Sequence, residues 1–154
     1  MSKIISFGDE QFSGLMDEGE FVHGTVFVIM PFSPEYGSDD VFSAIDDECR
    51  KLRLTATRVD RTTGSGIVMR RIIQELERSE FIIADLTGER PNVYYELGYA
   101  HGDGNGENDI LIVAKRGTEL HFDNALLSVK SYSSTEELGK IVNSNRQEMI
   151  RVTR

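Results

Sequence analysis

The chain has 154 residues, 39% of them hydrophobic, and a formal net charge of −9. This length and composition predict a single domain with one ordinary core. No apolar stretch approaches the roughly 20 residues that span a bilayer, so no membrane partner is expected. Proteins that neutralise the phosphates of a nucleic-acid polymer normally carry a basic face, and the acidic balance argues against such a partner.

Cys49 is the only cysteine of the chain. An internal disulfide is therefore impossible, and a cytoplasmic location is expected. The residue falls on the apolar side of a predicted helix, where a buried core thiol is a more common role than a nucleophile. Residues 1–10 lack an uninterrupted apolar run, so we expect no signal peptide there.

Strands and helices alternate from residue 25 onward, and we assign residues 1–24 to an N-terminal extension and 25–154 to one α/β domain. Continuous apolar runs predict strands, and apolar residues at helical spacing predict helices. The predicted strands cover residues 25–30, 54–59, 81–84, 110–114 and 126–129. The predicted helices cover residues 39–53, with Ser38 as the cap, and then 67–79, 92–101 and 135–150.

The predicted strands are apolar on both faces, which is typical of a parallel sheet covered by helices on each side. Right-handed crossovers make a doubly wound, flavodoxin-like order of five parallel strands the simplest topology. The carboxyl ends of parallel strands meet at one edge of the sheet, and ligands bind there in open α/β folds. We therefore expect the functional residues in the loops that follow the strands.

The segment from residue 82 to residue 101 is the most informative part of the sequence. It predicts a buried strand, a turn and a helix, with Glu96 about one turn into that helix. Tyr94, Tyr95 and Tyr99 surround this acid, and a solvated carboxylate would not need such neighbours. We therefore predict a functional role for Glu96.

Asp60 and Asp85 would lie at the same edge of the sheet as Glu96, because each follows a predicted strand. Two carboxylates that flank an anomeric carbon can act as a nucleophile and as a group that assists the leaving base. The alternative for Asp85 is a structural role, in which its side chain caps the next turn. For Asp60 the structural and the functional interpretations are both open.

A phosphate site is suggested by the segment Gly64-Ser65-Gly66, which opens the second predicted helix with backbone amides and a hydroxyl. The chain contains no Walker A sequence. Its three histidines lack metal-ligand spacing, and no metal or redox cofactor is implied by the sequence.

Three segments of the chain resemble the nucleoside 2-deoxyribosyltransferase-like superfamily, which includes transferases and nucleotide N-glycosidases and is similar in fold to TIR domains. They are residues 26–32, residues 58–60, and residues 83–88 together with 91–101. The resemblance implies that Glu96 is a nucleophile that attacks the anomeric carbon and that Asp60 engages the sugar or base. It also implies a homo-oligomer, a dimer or tetramer, in which Asn124 or Ser128 reaches into a neighbouring subunit's site.

Arg90 departs from the pattern of the deoxyribosyltransferases, which commonly have an aspartate six residues before the nucleophile. The departure favours hydrolysis, a phosphorylated substrate or a purely binding role over base transfer. The expected function is cleavage or transfer of the N-glycosidic bond of a small nucleoside or nucleotide. The alternatives are a TIR-like NAD-cleaving or signalling domain in bacterial defence and a non-catalytic nucleotide-binding module. The expected substrate-binding residues are Pro31, Phe32, Ser33, Gly64, Ser65, Gly66, Thr87, Gly88, Asn92, Tyr95, Asn124 and Ser128.

Overall fold

A five-stranded parallel sheet forms the centre of the computed structural model, which describes residues 22–59, 65–103, 109–121 and 127–152. The strand order is β2-β1-β3-β4-β5, and each neighbouring pair is parallel. The α/β class and the doubly wound topology predicted from the sequence are confirmed. The strands are β1 (Val22–Ile29), β2 (Thr55–Thr57), β3 (Ser79–Asp85), β4 (Ile110–Lys115) and β5 (Val129–Tyr132).

Helices cover both faces of this sheet. Over the described residues they are α1 (Ser38–Lys51), α2 (Ser65–Arg78), α3 (Pro91–Gly102) and α4 (Thr135–Val152). Single turns of 3-10 helix at Pro34–Tyr36 and Thr87–Glu89 follow β1 and β3. In the part of the chain that the structure describes, no helix combines the length and the apolar character needed to cross a membrane.

The alternation of side chains along β1 explains why both faces of the sheet are apolar. Phe27 and Ile29 pack against α2 and α3 on one face, whereas Val26 and Val28 pack against α1 and α4 on the other. Successive residues of a strand point to opposite faces, so a strand between two helical layers must be apolar at every position. This is the pattern from which the strands were predicted.

Cys49 lies in the core between α1 and the sheet, as the sequence led us to expect. Burial raises the pKa of its thiol to about 12, and the nearby charges of Asp46 and Glu48 add to the effect. Because the thiolate is the nucleophilic form, this cysteine is inert near neutral pH.

The start of α1 and the position of β5 differ from the sequence-based predictions. Gly37, in the left-handed conformation with φ of 63°, is the N-cap of α1, and Ser38 is the first helical residue. The fifth strand covers Val129–Tyr132 instead of 126–129. An edge strand pairs with one neighbour only and need not be apolar throughout, so the apolar run before it was a misleading signal. β1 also begins at Val22, inside the predicted N-terminal extension.

Candidate functional site

The topological switch point of the sheet lies between β1 and β3, because the chain winds outward from these two strands in opposite directions. Two loops leave the carboxyl edge of the sheet at this point. The first loop comprises residues 30–37 after β1, and the second loop comprises residues 86–90 after β3. A ligand of a doubly wound fold binds in the crevice outside such strand ends, so these loops define the candidate site.

Ser38 gives the first loop its shape. Its hydroxyl is buried and lies 2.6 Å from the Pro31 carbonyl oxygen, to which it donates. The same hydroxyl oxygen accepts a 3.0 Å hydrogen bond from the backbone N–H of Ser33. The serine that the sequence suggested as a helix cap therefore ties the helix start back to the end of β1.

Arg58, which follows β2, lies beside the first turn of α1. Its guanidinium carbon is 5.0 Å from the ring centroid of Phe32 and 4.5 Å from that of Phe42. One guanidinium nitrogen donates to the Ser38 carbonyl oxygen at 3.4 Å, and another pairs with the Asp39 carboxylate at 2.6 Å. The side chain of Arg58 is only 22% exposed, so its charge is held at a fixed place in the site.

An open pocket of about 550 Å³ is lined in part by this arginine, and we call it the Arg58 pocket. Its walls come from the first loop, from the first turn of α1 and from Arg58 itself. They comprise Phe32, Ser33, Pro34, Gly37, Ser38, Asp39, Asp40 and Arg58.

Tyr36 closes the gap between the first and the second loop. Its ring lies directly over Gly88, which has φ of 72°, and a Cβ atom at Gly88 would fall 2.3 Å from the ring. The Arg90 guanidinium is 5.5 Å from the ring centroid and forms a 3.5 Å ion pair with Glu35. Lys115 at the end of β4 donates to the Tyr36 carbonyl oxygen at 2.7 Å. The two loops are thus joined through one tyrosine that is half-buried.

A buried hydrogen-bond network underlies the second loop. The Asp85 carboxyl group accepts hydrogen bonds from the N–H and hydroxyl of Thr87, at 3.0 and 2.6 Å, and from the Tyr132 hydroxyl at 2.8 Å. The Thr87 hydroxyl oxygen in turn accepts the backbone N–H of Lys115 at 2.9 Å. Asp85 is 1% exposed. The turn-capping role, which the sequence left open as the alternative for Asp85, is the one that its contacts display.

Burial raises the pKa of Tyr132, and the charge of Asp85 raises it further. The neutral phenol is therefore the form that donates to Asp85. Because the network joins the ends of β3, β4 and β5, it fixes this side of the carboxyl edge.

Glu96 lies in α3 on the side that packs against the sheet, together with Val93, Leu97 and Ala100, and is 2% exposed. Its neighbour Tyr95 is 59% exposed and points away from this side. Glu96 is not among the residues that line the Arg58 pocket. Asp85 and Glu96, the two predicted catalytic acids that lie among the described residues, are thus both buried.

Glu89 and His121 form a contact that sequence reasoning missed. Glu89, with φ of 46°, accepts hydrogen bonds from the Tyr94 hydroxyl at 2.8 Å and from the backbone N–H of His121 at 2.7 Å. Its carboxylate also pairs with the His121 ring. Hydrogen bonds from His121 hold the pKa of Glu89 below its usual value, and the Glu89 carboxylate raises the pKa of His121. The partners are 32 residues apart, and no local pattern connects them.

The remaining predicted site residues are divided among these features. Phe32 and Ser33 line the Arg58 pocket, and Gly88 lies under Tyr36. Pro31 and Thr87 are buried, whereas Asn92 and Ser128 are exposed. Ser65 and Gly66 begin α2. Asp60, Gly64 and Asn124 lie outside the described residues.

Comparison with known proteins finds a likeness at the level of the fold. No protein-family model and no curated protein matches this chain. Among solved structures, two variants of a flavo di-iron protein from Thermotoga maritima match with TM-scores of 0.64 and 0.62, each at 15% identity. A flavoprotein from the same organism matches with a TM-score of 0.61 at 14% identity. Each match covers 86% of this chain, which spans less than two fifths of the matched chains, 37–38%. At this identity the likeness shows the flavodoxin-like fold.

The predicted function, cleavage or transfer of an N-glycosidic bond, is wrong, because the structural neighbours are flavoproteins. The TIR-like and the non-catalytic nucleotide-binding alternatives find no better support and are not retained. Asp85 and Glu96, two of the acids on which that prediction relied, are both buried, and their roles as site residues stay predictions. The resemblance to the deoxyribosyltransferase-like superfamily stays a prediction, since these comparisons do not bear on it.

Proposed function

We propose that this chain is a flavodoxin-like redox domain that binds a flavin mononucleotide at the carboxyl edge of its sheet. The observation that carries the proposal is the Arg58 pocket, an open site with a fixed cation at the β1 side of the switch point. Doubly wound sheets with this strand order bind the flavin at that point. The likeness to flavoprotein structures supports the same ligand class.

The residues of the site match the two ends of such a ligand. Arg58 offers a guanidinium to a phosphate group, and Arg is well suited to this because its planar fork matches phosphate oxygens. Ser38, Asp39 and Asp40 of the first turn of α1 also line the pocket, and their backbone N–H groups precede the first i−4 hydrogen bond of the helix, which Val41 donates to Gly37. Such N–H groups at a helix start can bind a phosphate. Tyr36, whose ring covers the gap between the two loops, provides an aromatic ring near the place where a planar ring system would lie.

A bound flavin would supply electron transfer in one- or two-electron steps, and the protein would supply binding and orientation. Arg58 would hold the phosphate end, and Phe32 would shield that contact from water on one side. Tyr36 covers the gap between the loops, so its ring must either stack on the flavin or move aside. This role departs from the sequence-based expectation of no redox cofactor. The homo-oligomer and the cytoplasmic location stay predictions.

The test is reconstitution of the purified protein with flavin mononucleotide, followed through the quenching of flavin fluorescence and the change in its visible absorption. Arg58→Gln should weaken binding at least tenfold, since hydrogen bonds to charged groups contribute about 1.5–3 kcal/mol each. Arg50→Gln is the matched control, because Arg50 is an exposed arginine of α1 that pairs with Asp46 away from the pocket. Absence of flavin binding, or equal affinities of the two variants, would overturn the proposal.

A further inference from the structure

Arg58 is fixed in place by contacts that do not depend on its ion pair. Phe32 and Phe42 both lie within 5.0 Å of the guanidinium, and the Ser38 carbonyl oxygen accepts from it at 3.4 Å. Aromatic faces attract a guanidinium through the ring quadrupole. The cation would therefore keep its position if the carboxylate that now balances it moved away.

Asp39 is the movable member of the pair. Its side chain is 91% exposed, whereas that of Arg58 is 22% exposed. A carboxylate in water gains little from a single ion pair, because screening and lost side-chain entropy offset most of the attraction. Asp40, the next residue, is also exposed and also lines the Arg58 pocket, but the ion pair is made by Asp39.

The charges in the pocket make the Asp39 carboxylate and a phosphate ligand compete for Arg58. Arg58 carries one positive charge, and Asp39 and Asp40 together carry two negative charges. A phosphate monoester that approaches Arg58 would come close to the Asp39 carboxylate, which already lies 2.6 Å from a guanidinium nitrogen of Arg58. Like charges at such distances repel, even with strong solvent screening. A phosphate that accepts from the same guanidinium nitrogen therefore replaces the Asp39 carboxylate.

We propose that Asp39 is an internal counter-ion of Arg58 that an incoming phosphate group displaces. The inference rests on the proposed function and deepens it, because it names the side chain that the phosphate end of the ligand displaces. Asp39 then competes with every anionic ligand and lowers its affinity. A neutral ligand, such as riboflavin, does not compete with Asp39.

The test compares the wild type with Asp39→Asn and with the matched variant Asp40→Asn. The probes are inorganic phosphate, flavin mononucleotide and riboflavin, at constant ionic strength set with chloride. Binding of inorganic phosphate is followed by NMR through the Nε–H signal of Arg58. Asp39→Asn should tighten phosphate binding by about two- to fivefold more than Asp40→Asn does, the range that corresponds to loss of an exposed ion pair. Riboflavin affinity should change by the same factor in both variants.

Equal effects of the two variants on phosphate would overturn the inference, because they would indicate a general charge effect. Weaker phosphate binding by Asp39→Asn would also overturn it, since Asp39 would then position Arg58. If phosphate responds as expected but no flavin binds, the proposed function fails and the inference stands. If flavin mononucleotide binds but the two variants agree, the inference fails and the proposed function stands.

Discussion

Tyr132→Phe should destabilise the protein, because it removes one of the three donors that bind the buried Asp85 carboxyl group. The ring stays, so no cavity forms and the cost is that of the lost hydrogen bond. A hydrogen bond to a charged group contributes about 1.5–3 kcal/mol. For a chain of this size each kcal/mol shifts the melting temperature by about 2–4 °C, so the expected loss is about 3–12 °C.

The free energy of unfolding is measured by urea denaturation at pH 7, with Tyr95→Phe as the control. Tyr95 loses the same hydroxyl group but is 59% exposed, and surface substitutions usually stay within about 0.5 kcal/mol of the wild type. If the two variants agree within that margin, the Asp85 network does not stabilise the fold. That result would also remove the structural explanation of Asp85 given by its contacts.

The pH dependence gives a second check on the same residue. The pKa of Tyr132 is raised above its ordinary value of 10.0, first by burial and then by the charge of Asp85. A group with a raised folded-state pKa stabilises fully below its unfolded-state pKa and loses this contribution as the pH rises through the folded-state value. The stability difference between wild type and Tyr132→Phe should therefore shrink above pH 10. A difference that stays constant up to pH 11.5 would contradict this assignment.

Two further predictions concern the second loop. Glu89→Gln should lower the pKa of His121 toward 6.5, because the carboxylate that favours the charged imidazole is removed. An NMR titration of the His121 ring measures this pKa, and an unchanged value would contradict the pairing. In the wild type, the contribution of His121 to stability is present below pH 6.5 and lost as the pH rises through its raised pKa. Gly88→Ala should destabilise by about 1–2 kcal/mol in urea denaturation because of its left-handed φ, and the contact of the new methyl group with the Tyr36 ring should add to this cost. Part of the effect should disappear in a Tyr36→Ala background, where the ring no longer meets the new methyl group, and equal costs in both backgrounds would exclude this contact.

Much of the fold could be predicted because its signals are local and repeated. Every position of β1 from Val26 to Ile29 is buried, and continuous burial produces the apolar runs that identify a parallel sheet. The helices follow from apolar spacing, as the buried Val41, Ile45 and Cys49 of α1 illustrate. The fifth strand was misplaced because an edge strand lacks this signal.

The candidate site was harder to predict because its contacts join residues far apart in the sequence. Arg58 and Asp39 are 19 residues apart, and their pairing depends on the parallel order of β1 and β2. Glu89 and His121 meet only because the second loop and the segment after β4 leave the same edge. The sequence shows the aromatic neighbours of Glu96, but it does not show which side of α3 faces the sheet. That orientation decides whether Glu96 is buried or exposed.

The two sides of the carboxyl edge differ in how firmly they are held, and this difference bears on how a ligand would bind. On the β4 and β5 side, Asp85, Thr87 and Tyr132 form a buried network that resists rearrangement. On the β1 side, the Asp39 side chain is held by an exposed ion pair, which costs little to break, and the Tyr36 ring by contacts with Gly88 and Arg90 and not by a buried hydrogen-bond network. Ligand binding should therefore move the Tyr36 ring and the Asp39 side chain, while the second loop keeps its buried anchor and the Ser38 hydroxyl holds the backbone of the first loop. This arrangement gives a fixed cation, Arg58, beside groups that can move aside for an anion.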